Sequence, residues 1–197
     1  TSITSLMVQR GVRGIDEAEH FLEPRLSELH DPFLMKDMDA AVQRINQAIG
    51  NKERILIYGD YDVDGTTAVA LVYKYLRQIT PLLEFYIPDR YTEGSGISDK
   101  ALDFAKESGC TLLITLDCGT KEVLMIEKAT EMGIDVIVCD HHLPGRERPN
   151  CVALLNPKAP DSGYPFKELS GCGVGFKLMQ AFAMSNRSDK RGLYDLV

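Results

Sequence analysis

The sequence predicts an α/β fold: a parallel sheet of about five strands covered by helices on both faces, with a helical lead-in at the N-terminus. Three observations predict it. Short runs rich in strand-forming residues recur after residue 50, the runs are apolar on both faces, and segments with helical spacing separate most of them. Strands joined through helices run parallel, and strands buried on both sides need a helical layer above and below.

Residues 1–50 read as the helical lead-in and residues 51–197 as the sheet domain. In the first part, "GIDEAEHFLEP" closes at Pro24, "HDPFLMKDMD" is a connector, and "DMDAAVQRINQAIG" has apolar residues at helical spacing and stops on Gly50. The predicted strands are "RILIYG" (54–59), "LLEFYIP" (82–88), "TLLITLD" (111–117), "IDVIVCD" (134–140) and "CVALLN" (151–156), with helices over 66–79, 98–108, 120–132 and 173–185. The polar stretch "SNRSDKRG" (185–192) reads as a hinge to something that follows. "GCGVGF" (171–176) is no dinucleotide fingerprint, because G-x-G-x-x-G would need Gly where Phe176 stands and no strand directly precedes it. Its glycines read instead as room for a tight approach ahead of a helix.

Bulk properties exclude some classes of function. A net charge of −7 argues against a protein that coats nucleic acid by charge alone, but not against an enzyme whose metal ions supply the positive charge. No run approaches the roughly 18 apolar residues of a membrane span, and the N-terminus lacks the pattern of a signal peptide. Cys110, Cys118, Cys139, Cys151 and Cys172 form no C-x-x-C pair and read as reduced core residues of a cytoplasmic protein. The first residue is Thr1 rather than Met, which predicts a chain clipped or excised from something longer.

The chemistry gathers where strands end. "GDYDVDG" carries Asp60, Asp62 and Asp64, "LITLDCGT" carries Asp117, and "VIVCDHHLPG" carries Asp140, His141 and His142. A calcium loop of the D-x-D-x-D-G type fails here: its closing Glu position holds Leu71, and a strand rather than a helix leads in. In a parallel sheet the carboxyl ends share one edge, so these groups meet at one place. Crowded carboxylates repel unless cations neutralise them, and oxygen ligands with one or two imidazoles suit Mn²⁺ or Mg²⁺. Two such ions about 3.5 to 4 Å apart could activate water for in-line displacement at phosphorus. The bland alternative is that Asp64 or Asp117 simply caps a helix and that the His-His pair is a turn.

These motifs, in this order and spacing, resemble those of the DHH phosphoesterase superfamily, named for the Asp-His-His at 140–142. Within it the chain is similar to the RecJ single-stranded-DNA exonucleases, through "HDPFLMKDMDAAVQRI", "IPDRYTEGSGIS" and "YPFKELSGCGVGFKL" as well. The resemblance implies a metal-dependent phosphodiesterase degrading single-stranded DNA from its 5′ end in recombination and repair. It also implies roles. Asp62 and Asp117 would hold one metal, and Asp64, Asp117 and His141 the other. His142 would bind the scissile phosphate or assist proton transfer, and Asp140 would orient its neighbours. Asp60 would be a structural member of the turn.

Two positions depart from the pattern: Tyr58 stands where many superfamily members carry a metal-binding His, and Ser95 where many RecJ proteins carry Tyr. Family members also supply a further metal-binding Asp shortly after a segment like "LYDLV", so an N-terminal part with impaired activity is expected. The competing readings are a DHH phosphodiesterase for short oligonucleotides or cyclic dinucleotides, and a non-catalytic DHH-fold scaffold for replication partners. No protein partner is legible in the sequence.

Overall fold

In the computed structural model, which describes residues 2–187 and 191–194, the five runs form one all-parallel sheet. Its strands are β1 (Arg54–Gly59), β2 (Leu83–Tyr86), β3 (Cys110–Leu116), β4 (Asp135–Cys139) and β5 (Ala153–Leu155), in the order β2-β1-β3-β4-β5. The helices are α1 (Ser2–Gln9), α2 (Ile15–Leu22), α3 (Met38–Gly50), α4 (Val63–Arg77), α5 (Asp99–Glu107), α6 (Val123–Glu131), α7 (Gly171–Ser185) and α8 (Arg191–Tyr194). The end of the expected hinge at 188–190 and the last residues of "LYDLV" (195–197) lie outside the described residues.

Alternate residues of each strand feed two cores. Ile55 and Ile57 of β1 and Leu112, Ile114 and Leu116 of β3 pack with α3, α4 and α7. Leu56 and Tyr58 of β1 and Leu113 of β3 face the other way, onto α5 and α6. This two-sided burial is why the runs carry no polar alternation.

The contacts divide the chain into two compact units, Thr1–Asp31 and Pro32–Val197. In the first, α1 and α2 bury no side chain. In the second, α3 lays Met38, Ala41, Val42, Ile45 and Ala48 into the core of the sheet. The apolar stripe of α3, within the expected lead-in of residues 1–50, packs on the sheet. Leu71, which stood at the calcium-loop position, is buried on α4.

The strand order reverses between β1 and β3, which leave for opposite edges of the sheet while lying side by side. Open α/β sheets bind ligands at this kind of switch point, beyond the carboxyl ends.

Candidate metal centre

The hydrogen-bond ladder of the sheet sets the acids in a row. Asp60 donates its backbone N–H to the carbonyl of Leu116 (3.3 Å), Asp117 to that of Cys139 (2.8 Å), and Asp140 to that of Leu155 (3.0 Å). Each acid is therefore the first residue past its strand, held by the strand next to it. Asp117 adopts a left-handed backbone (φ 62°), uncommon for a residue with a side chain though Asp tolerates it better than most, and such conformations concentrate at functional sites.

From these ends the side chains converge. Nε2 of His141 lies 3.1 Å from Oδ1 of Asp117 and 3.6 Å from Oδ2 of Asp64. Asp117, His141 and His142 each present a ligand atom, all within 4.8 Å of one another. Asp62 lies close enough for its charge to push on Asp117. It has a second duty as the N-cap of α4, accepting the N–H of Gly65 at 2.9 Å. Asp64 has one too: its two oxygens accept N–H groups of Gly171 (2.6 Å) and Cys172 (2.7 Å) at the positive end of α7. Capping and convergence thus coexist. Asp117 receives no cap; it is buried, and its Oδ1 has no hydrogen-bond partner among the described residues.

The two buried aspartates are pushed in opposite directions. Burial, then the charges of Asp64, Asp62 and Asp140, push Asp117 up to about 8. Burial also works upward on Asp140, but hydrogen bonds from Thr120 and His142 outweigh it and hold its carboxyl below the usual range. Asp140 Oδ1 meets the N–H of His141 (2.7 Å) and of His142 (3.1 Å) and the ring Nδ1 of His142 (2.7 Å), and Oδ2 accepts the N–H of Thr120 at 2.9 Å. Asp140 is thus satisfied by its neighbours, whereas Oδ1 of Asp117 makes no hydrogen bond among the described residues and lies 3.1 Å from His141 Nε2, close to other carboxylates. A divalent cation fits there: it supplies the missing partner for Oδ1 and offsets the repulsion, and a donor set of carboxylates and imidazole without thiolate suits Mn²⁺ or Mg²⁺.

Asp60 takes a different place. It is half-buried, its Oδ1 accepts the N–H of Tyr61 (2.7 Å), and burial followed by the charge of Asp62 raises its carboxyl. With Ser95, Lys121 and Glu122 it lines a cavity of about 200 Å³ that Asp117, Asp140 and His142 also line. Tyr58 is buried in the core under α5 and α6, stacks on Tyr86 with ring centres 6.0 Å apart, and donates its hydroxyl to the carbonyl of Gly96. At the position of the superfamily's histidine, this chain thus holds the turn that carries Ser95.

The tight approach expected of the 171–176 glycines is made by Gly171, while Asn156 carries no expectation from the sequence. Gly171 packs so closely on Asp117 that an added Cβ would lie 2.5 Å from its Cβ and Oδ1. Asn156, just past β5, is fully buried and hydrogen-bonds Thr120 and the carbonyl of His142. Its signal was available: β5, like β1, β3 and β4, ends in a polar residue.

Residues 54–197 match the family model described as "DHH family, N-terminal domain". The chain belongs to the DHH family. Among curated DHH relatives, single-stranded-DNA-specific exonuclease RecJ of Bacillus subtilis (strain 168) is 45% identical over 179 residues, 91% of this chain and 23% of that protein. RecJ of Dickeya dadantii (strain 3937) is 37% identical over 183 residues, 92% of this chain and 31% of that protein. The crystal structure of RecJ in complex with Mn²⁺ from Thermus thermophilus matches with a TM-score of 0.75 at 27% identity, covering 96% of this chain and 26% of that one. The DHH chain described here therefore spans less than a third of the length of these curated relatives. Among its described residues, no helix is long and apolar enough to cross a membrane.

Proposed function

We propose that this chain is the N-terminal, metal-holding part of a RecJ-type exonuclease, which hydrolyses phosphodiester bonds from the 5′ end of single-stranded DNA in recombination and repair, in the cytoplasm. The observation that carries the reading is the buried Oδ1 of Asp117, which makes no hydrogen bond among the described residues and has His141 Nε2 at 3.1 Å and Asp64 close by, in a DHH chain 45% identical to a RecJ exonuclease. Asp62 and Asp117 would hold one divalent cation, and Asp64, Asp117 and His141 a second, as the family resemblance implies. Mn²⁺ or Mg²⁺ bound there supplies Lewis-acid charge that acidifies water and offsets negative charge on phosphoryl oxygens.

The chain's own groups do the positioning. The N-terminus of α7 holds Asp64 with two N–H donors, and the close approach of Gly171 holds Asp117. Asp140 accepts from Nδ1 of His142, which leaves Nε2 as the ring's open nitrogen, available to bind a phosphoryl oxygen or pass a proton to the leaving group. Without cations the acidic cluster around Asp62, Asp64 and Asp140 repels the DNA backbone, so substrate binding itself depends on metal. The free cysteines, three of them buried, are consistent with a reducing compartment.

The test is release of mononucleotides from 5′-labelled single-stranded DNA with and without Mn²⁺, compared with a dinucleotide and with pyrophosphate. It is run on this chain and on a longer form spanning the relatives' length. Mn²⁺-dependent release from single-stranded DNA by the longer form is expected, with weaker activity in this chain alone. Preference for the dinucleotide or pyrophosphate would contradict the reading.

A further inference from the structure

His142 sits in a closed ring of hydrogen bonds whose far member is Asn156. The Asn156 Oδ1 accepts the N–H of Lys158 at 2.8 Å, which fixes the amide so that Nδ2 faces inward. Nδ2 then donates to the carbonyl of His142 (2.9 Å) and to Oγ1 of Thr120 (2.9 Å). An amide NH₂ can only donate, so the Thr120 hydroxyl accepts there, and Thr120 in turn donates its backbone N–H to the Asp140 carboxylate at 2.9 Å. Asp140 closes the ring on Nδ1 of His142 at 2.7 Å.

The burial gradient gives the ring a direction. Asn156, Thr120 and Asp140 are all at most 2% exposed, whereas the His142 side chain is 54% exposed. Three buried polar groups with their hydrogen bonds made terminate on one exposed imidazole. A purely structural network at this depth has no need of that end. An exposed ring held only by its Cα–Cβ bond would rotate among staggered wells, and the two contacts to it, backbone carbonyl and Nδ1, fix both its root and its plane.

We propose that Asn156 is a positioning residue for His142, acting through the His142 carbonyl and through Thr120 and Asp140 to hold the imidazole in the tautomer that leaves Nε2 facing the Asp117–His141 centre. This rests on the reading of His142 as the group beside the scissile phosphate. Asn156 touches neither metal nor substrate in this scheme. Groups of this kind typically change activity by about ten- to a hundredfold when removed.

The experiment is a double-mutant cycle on the full-length protein, with a spectroscopic arm that does not depend on turnover. Asn156→Ala is expected to lower kcat on single-stranded DNA about ten- to a hundredfold, with KM and Mn²⁺ affinity within about twofold. Added to His142→Ala, it should cost almost nothing further, because its effect passes through that ring. Thr120→Val should reproduce the loss and Thr120→Ser recover most of it, which guards against Asn156→Ala failing to fold. Additive losses in the cycle would make Asn156 a structural residue and overturn the proposal. In metal-free ¹⁵N-histidine spectra, His142 should show one fixed Nδ1–H tautomer that averages in Asn156→Ala. Unchanged spectra would also overturn the proposal. A protein that releases no nucleotide yet shows the tautomer change would contradict the nuclease reading and leave the positioning role standing.

Discussion

Gly171 donates its backbone N–H to the Asp64 carboxylate at 2.6 Å while its bare α-carbon presses against Asp117, so one residue of α7 fixes two of the acids. A methyl group at this position would lie 2.5 Å from Asp117 Cβ and Oδ1, a separation real Cβ atoms do not reach. Gly171→Ala is therefore expected to destabilise the fold by about 1 to 3 kcal/mol and to displace Asp117. Urea unfolding and calorimetric Mn²⁺ titration check it, with affinity expected to fall by about tenfold or more. Parent-like values in both would mean that Asp117 is not held from this side.

Asp117 stands against its own stability. Burial and the charges of Asp64, Asp62 and Asp140 disfavour its ionised form, and Oδ1 has no hydrogen-bond partner among the described residues. Asp117→Asn removes the cost of burying or protonating this carboxylate without changing its shape. The melting temperature in chelator should rise, while the stabilisation that Mn²⁺ gives the parent should disappear. A variant that is less stable in chelator, or still stabilised by Mn²⁺, would show that the carboxylate is not reserved for a cation.

At the opposite end of the sheet a second charged group behaves conventionally. Arg44 of α3 donates to Glu53 and to Asp135, each at 2.6 Å, and Thr111 adds a hydrogen bond to Glu53 at 2.6 Å. Burial works upward on Glu53, but the bonds from Thr111 and Arg44 outweigh it and hold the carboxyl below its ordinary value of 4.5. A depressed carboxyl contributes stability that is present above the unfolded pKa and lost as pH falls through the folded one. Glu53→Gln should therefore cost about 1 to 3 kcal/mol at pH 7, and the difference from the parent should shrink as pH falls below 4.5. A difference that stays constant with pH would mean that the charge on Glu53 contributes nothing.

The sheet could be read from the sequence because strands buried on both faces leave an unambiguous mark, and each run from Arg54 to Leu155 overlaps a strand, though β3 starts one residue earlier, at Cys110. Helix starts were less legible, since caps decide them. Asp62 caps α4 from Val63 rather than 66, and Ser170 caps α7 from Gly171 rather than 173. The 117–122 turn, with Asp117 and Gly119 at positive φ, delays α6 to Val123.

The acids of the site were legible because each follows an apolar strand. Their division of labour was not. That Asp62 and Asp64 would each also accept backbone N–H groups, while Asp117 would be left bare, depends on where α4 and α7 begin, and α7 lies more than a hundred residues further along. The 171–176 glycines could be read as allowing a close approach, but not that Asp117 is what they approach, and the polar residue after β5 did not show which groups Asn156 would bond. Both depend on partners that the local sequence does not name.

The most direct measurement is anomalous diffraction at the manganese edge from crystals soaked in Mn²⁺. A peak is expected within coordination distance of Asp117 Oδ1 and His141 Nε2, with Asp64 and Asp62 carboxylates turned to it and the signal lost in Asp117→Asn. No peak at Asp117 under saturating Mn²⁺, or a peak held only by groups elsewhere on the chain, would contradict the assignment of this strand edge as the metal centre.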